Sequence, residues 1–229
     1  MKRLGELKRG TIFNYAKEKF VALGVKNGGV HVLRAQSGED RCAFYEGDEA
    51  PYNHYGKSTL REHIEQDFLQ GLIRNGANPE DWIPFDLDLC ETDGSVGYGI
   101  LEDVQAAPLT LREWGRYKDV IPNNEDGPFW LATPFWTPRS PNMFNSNSVW
   151  LVYSDGYYSL WRCSGAYGVR PGLILKSSLL VSYEGEDEDI DLTKVQNEAF
   201  LKEAERRWKE GMFSIRIDDA DIAFEEMRK

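Results

Sequence analysis

The chain has 229 residues, of which 41% are hydrophobic and seven are Trp, enough apolar material for one large domain with an appendage or for two small domains. Its formal net charge of −11 at pH 7 argues against a nucleic-acid backbone or an anionic lipid surface as principal partner, because like charges repel at both. Lys2, Arg3, Lys8 and Arg9 precede no apolar run, so no secretory signal is expected, and no window approaches the length of a membrane span.

In chain order, Val21–Val25 and Val30–Arg34 are β-rich runs separated by Lys26-Asn27-Gly28-Gly29. Asn-Gly between such runs predicts a hairpin, since both central positions accept positive φ. Ser58 is placed to cap a helix whose apolar stripe is Leu60, Ile64, Phe68 and Leu69, with Gly71 as its stop. Asp86, Asp88, Glu91 and Asp93 form an acidic group before Gly94 and are expected as solvated turn carboxylates. Thr110 is a second candidate N-cap, for a helix over Leu111–Tyr117. Phe129 to Val181 is rich in aromatic and polar residues, with a hairpin expected over Asp155-Gly156. An acidic run, Glu184 to Asp191, then leads to a tail in which Leu192, Val195, Ala199, Ala204 and Trp208 recur at helical spacing.

Several motifs stand together: Tyr52-Asn53, Ser58-Thr59-Leu60-Arg61, Phe68, the run Leu109–Tyr117, Trp130-Leu131-Ala132-Thr133-Pro134 and Gly168-Val169-Arg170-Pro171. This set resembles a bacterial and phage domain family of unknown function. That family is similar, remotely, to the C-type-lectin-like fold of formylglycine-generating enzymes and of the variable proteins of diversity-generating retroelements. Ala132 stands where the family usually has Arg, and Gly172 where it usually has Ala. The resemblance implies one α+β domain of C-type-lectin-like type over residues 1–181, with short strands and two main helices. An acidic linker at 182–191 and a helical C-terminal appendage at 192–229 are expected to follow. The appendage offers a surface for a homo-oligomer, since an isolated helix of this length is marginal.

The window from Trp136 to Tyr167 is the candidate recognition face, because Asn, Ser, Tyr and Trp combine rigid aromatic contact with adaptable hydrogen bonding. Its candidate ligand- or partner-binding residues are Trp136, Arg139, Asn142, Asn145, Asn147, Tyr157, Tyr158, Trp161 and Tyr167. Alternation puts Trp150 and Val152 on one face of a strand and Leu151 and Tyr153 on the other, with one face expected in the core. Trp130 and Arg170 are expected as structural residues, Arg170 in an internal hydrogen-bonded pair. His54, His63, Cys42 and Glu62 match no zinc-ligand spacing, so no metal site is expected. No cofactor is expected either: Gly94–Gly99 lacks the Lys and helix of a phosphate loop, and Cys163 has no neighbouring thiol for redox chemistry. Three widely spaced cysteines fit reduced thiols in a cytoplasm, or in a virion assembled there.

The expected function is therefore a non-enzymatic binding module, phage- or mobile-element-encoded, that holds a protein or a glycan. A structural or assembly protein associated with a virion is the alternative, and an enzyme of unfamiliar type is the third.

Overall fold

A computed structural model describes residues 1–137 and 146–183. The appendage expected at 192–229, and all but the first two positions of the linker expected at 182–191, lie outside the described residues.

In chain order the strands are β1 (Lys2–Arg3), β2 (Ile12–Tyr15), β3 (Glu18–Lys26), β4 (Gly29–Arg34), β5 (Arg41–Ala43), β6 (Phe85–Asp88), β7 (Ile100–Val104), β8 (Ala106–Ala107), β9 (Phe129–Pro134), β10 (Ser148–Val152), β11 (Tyr158–Arg162), β12 (Ala166–Gly168), β13 (Gly172–Leu175) and β14 (Leu180–Tyr183). Among the described residues they form a seven-stranded sheet in the order β1-β14-β2-β3-β4-β13-β8, a five-stranded sheet β11-β10-β9-β12-β5, and the pair β6-β7. β3 and β4 make the hairpin expected over Asn27-Gly28, and both residues take the positive φ that such a turn requires. β14 runs to Tyr183, whose strand partner is Phe13, so pairing continues two residues beyond position 181.

Thr59–His63, a π-helical turn Ile64–Phe68 and Leu69–Arg74 run on as one helix, α1. Ser58 caps it by accepting a hydrogen bond from the Arg61 N–H. Leu60, Ile64, Phe68, Leu69 and Leu72 are its buried stripe. Gly71 lies inside the helix and does not end it; Asn75 is the C-cap. The second helix, α2 (Leu111–Tyr117), has a capping box in which Thr110 and Glu113 each bond the other's backbone N–H.

This arrangement overturns the α+β, C-type-lectin-like expectation with its two main helices. Among the described residues the fold is mostly β, about 36% strand, with one helix of 16 residues. α2 has only seven residues. The strand content was under-read for a physical reason: β1, β5, β8 and β12 have two or three residues each, too few to show a period-two alternation.

Two hydrophobic clusters divide the interior. One gathers Phe13, Phe20, Phe44, Tyr55, Trp130 and Leu151 with the buried stripe of α1. The other gathers Val21, Leu23, Leu33, Phe129, Leu131 and Val152 with Trp114 and Tyr117 of α2. Alternate residues of β3 and β9 enter different clusters, so these strands are buried on both faces, and all six residues of β9 are buried.

Candidate aromatic recognition face

β10 and β11 form an antiparallel hairpin with Val152 opposite Tyr158 and Ser148 opposite Arg162. Its turn is closed by the Tyr153 N–H donating to Tyr157 O (2.7 Å) and the Gly156 N–H donating to Tyr153 O (2.9 Å). Asp155 Oδ1 accepts from the Tyr157 N–H (2.9 Å), and Gly156 takes a positive φ. The segment preceding the turn and the one following it are therefore held in register, and their rings form a chain. Trp136 meets Phe135, Phe135 meets Trp150, Trp150 meets Tyr158, Tyr158 stacks with Tyr157, and Tyr157 stacks with Tyr153, at centroid separations of 4.8, 5.9, 5.6, 6.1 and 6.3 Å. Beside it, Trp161 packs edge-on to Tyr167 at 5.9 Å, and Tyr167 to the buried Trp130 at 5.0 Å. Tyr157, Tyr158 and Trp161 remain 66%, 46% and 45% exposed. At that exposure these three rings lie outside the two buried clusters.

The other candidate residues fall in different places. Trp136 and Tyr167 are half-buried, and Asn147 is exposed beside β10, its carbonyl accepting from the Cys163 N–H (2.8 Å). Arg139, Asn142 and Asn145 lie outside the described residues. Trp130 is fully buried, and its indole N–H donates to Cys42 O (2.8 Å). Arg170 is buried too, and its internal hydrogen bonds run to backbone carbonyls. It donates to the carbonyls of Arg34 (2.9 Å), Ala35 (2.6 Å) and Pro122 (3.0 Å), and its guanidinium lies 4.8 Å from the centre of the Phe129 ring. Burial pushes its pKa down to about 9, with Asp126 opposing the shift. The expectation that one face of the β10 strand is core is replaced by burial on both: Val152 sits in one cluster, Leu151 in the other, while Trp150 and Tyr153 are half-buried.

Residues that sequence reasoning missed hold the face in place. The buried Asn53 donates from Nδ2 to Trp136 O (2.6 Å) and Ser148 O (3.1 Å), while Tyr98 Oη donates to its Oδ1 (2.6 Å). One amide thus ties both ends of the segment joining β9 to β10. The Tyr52-Asn53 motif marked the position but not its task. Glu91 is buried rather than solvated, and its Oε1 accepts from the Thr137 N–H (2.9 Å). Its neighbours Asp88 and Asp93 do behave as turn carboxylates, accepting from the N–H of Cys90 and of Ser95.

Catalytic arrangements are poorly served. His63 lies between two carboxylates, with Nε2 2.7 Å from Asp40 Oδ1 and Nδ1 2.8 Å from Asp67 Oδ2. Both ring nitrogens are occupied, which leaves neither to activate a nucleophile. Asp40 also pairs with Arg34 (2.9 Å), and Arg34 with Glu18 (3.1 Å), so the group reads as an ion-pair network linking α1 to β3 and β4. It borders two open clefts of about 250 and 340 Å³. Cys42 lines the second, but burial and the carboxylates of Glu46, Asp40 and Asp67 push its thiol up to about 11, away from the nucleophilic thiolate. His54 stacks on Tyr98 at 4.2 Å, apart from this network. Among the described residues no group of three or more His, Cys, Asp or Glu side chains is arranged to hold a metal ion. No helix among them is long and apolar enough to cross a membrane.

No family model, no curated protein and no solved structure matches this chain. The lectin-like likeness therefore gains no support from comparison.

Proposed function

We propose that this chain is a non-enzymatic binding module that holds a protein or a glycan through the aromatic hairpin face. The observation that carries this reading is the exposure of Tyr157, Tyr158 and Trp161 on a hairpin that is otherwise held rigidly in register. Aromatic side chains offer large contact areas at low conformational-entropy cost, and their planar faces suit both protein hot spots and sugar rings. The charge of −11 directs the choice of partner away from nucleic acid and from anionic membrane. Three free cysteines suit a reducing setting, so we place its action in the cytoplasm or on a particle assembled there.

The test is a pull-down from the native host, paired with a glycan array, using wild type and Tyr157→Ala. A specific partner lost on truncation, with the melting curve unchanged, supports the reading. A partner held equally well by Tyr157→Ala and by Trp161→Ala overturns it.

A further inference from the structure

β11 is the outer strand of its sheet, paired with β10 on one side and with nothing among the described residues on the other. The direction of its backbone groups follows from the register. Tyr153 N donates to Tyr157 O, and Cys163 N to Asn147 O. With Val152 opposite Tyr158 and Ser148 opposite Arg162, these bonds put positions 157, 159, 161 and 163 in the hydrogen-bonded pairs with β10. In an antiparallel ladder the intervening residues turn their N–H and C=O the other way. Tyr158 and Leu160 therefore direct both backbone groups outward, and Arg162 directs its N–H outward, while its carbonyl already accepts from the Gly165 N–H (3.1 Å).

Such an edge is normally blunted by extreme shortness, Pro, Lys or a bulge. The seven-stranded sheet follows that rule, since its outer strands β1 and β8 have two residues each. At the far end of the five-stranded sheet β5 has only three. β11 has five residues, contains no Pro, pairs with β10 without a bulge, and carries its one charged residue, Arg162, at its end.

We propose that this edge pairs, antiparallel, with the same edge of a second copy of the chain, about a two-fold axis through Leu160. The sequence Tyr158-Ser159-Leu160-Trp161-Arg162 is complementary to its own reverse. Leu160 meets Leu160, Tyr158 meets Arg162 as a ring facing a guanidinium, and the small Ser159 meets the large Trp161. An axis at Leu160 pairs both groups of Leu160, and sets the Arg162 N–H of each copy against the Tyr158 carbonyl of the other; the Tyr158 N–H shares the Arg162 carbonyl with Gly165. The contact is isologous and closes on itself, so it yields a dimer and not a fibre. It also completes the aromatic face, because Arg162 of the second copy comes to lie against Tyr158.

The inference goes beyond the recognition reading and is separable from it, since Leu160 belongs to the edge and not to the exposed rings. The test uses the full chain in sedimentation velocity over a concentration series, with Leu160→Lys and with oxidative cross-linking of Leu160→Cys and Tyr158→Cys. Wild type should form a dimer as concentration rises, and Leu160→Lys, which sets two like charges on the axis, should weaken it at least tenfold. Leu160→Cys, the one position that meets itself, should cross-link under mild oxidation while Tyr158→Cys does not. Should Leu160→Lys fail to fold, the cross-linking pair decides. A wild type that stays monomeric to its solubility limit, or equal cross-linking at 158 and 160, overturns the proposal.

Discussion

Gly172 on β13 lies so close to His31 on β4 that a Cβ built on it would sit 3.0 Å from His31 Nε2 and 3.1 Å from Val32 O. The resemblance drawn from the sequence puts Ala here, and the imidazole is the reason Gly fits this chain instead. Gly172→Ala should cost about 1–3 kcal/mol as an overpacked core substitution. Part of that cost should vanish when His31 is truncated, giving a coupling of roughly 1 kcal/mol in a double-mutant cycle from urea melts. Strict additivity of Gly172→Ala and His31→Ala would show that the two do not compete for space.

His31 also sets a pH dependence. Burial holds its pKa down to about 4 from an ordinary 6.5, with Lys26 adding to the shift and Glu113 opposing it. Its Nδ1 is buried without a hydrogen-bond partner. Below about pH 6.5 the unfolded chain takes up this proton and the folded chain does not, so the His31 contribution to stability is complete above pH 6.5. It falls as the pH drops from about 6.5 to 4, by about 3 kcal/mol in all, and then levels off. The stability difference between wild type and His31→Leu should trace that curve in denaturant melts. A difference that is flat across the window would contradict it.

Asn53 offers a sharper test of the clamp. Asn53→Ala leaves the Trp136 carbonyl and the Tyr98 hydroxyl without this partner, while Ser148 O keeps the Phe135 N–H (3.3 Å), and should cost about 2 kcal/mol. Asn53→Asp keeps an acceptor for Tyr98 but turns a carboxylate oxygen toward the carbonyls of Trp136 and Ser148, so it should be the worse of the two. An Asp variant as stable as wild type would mean that Asn53 does not hold the segment.

Trp130 and Tyr157 should part company. Trp130→Ala removes a fully buried ring and its bond to Cys42 O and should lose about 3–5 kcal/mol of stability. Tyr157→Ala removes a ring that is 66% exposed and should stay within about 0.5 kcal/mol of wild type. Chemical denaturation of both decides whether the hairpin rings are packing or surface.

Thiol chemistry provides an independent check on the interior. Burial pushes Cys163 up to about 12 and, with nearby carboxylates, Cys42 up to about 11. In the native state both should react slowly with a thiol reagent at pH 8, Cys163 slowest, and all three cysteines should react after denaturation. Fast modification of native Cys163 would show that the β11–β12 region opens readily.

Much of the local structure could be read from the sequence because its signals are short-range. Asn27-Gly28, Ser58 and Thr110 each specify a turn or a cap within four residues, and each sits where the sequence places it. The fold class could not be read so directly. Its two- and three-residue strands exist only because longer neighbours hold them, and the doubly buried β3 and β9 show apolar runs in place of alternation. At the hairpin face the aromatic residue types were visible, but which rings stay exposed depends on packing by α2 and β9. Asn53 could not be assigned its role, because its three partners lie 45 to 95 positions away in the chain.

The clamp has a practical corollary. Because one buried amide grips the peptide at Trp136 and again at Ser148, the scaffold fixes the two feet of whatever connects them. An insert exchanged between those feet would inherit a set entry and exit, and doubling its length would add only about 0.6 kcal/mol of closure entropy. Any such exchange would have to keep Asn53, Thr137, whose N–H is held by Glu91, and Asn147, whose carbonyl accepts from the Cys163 N–H.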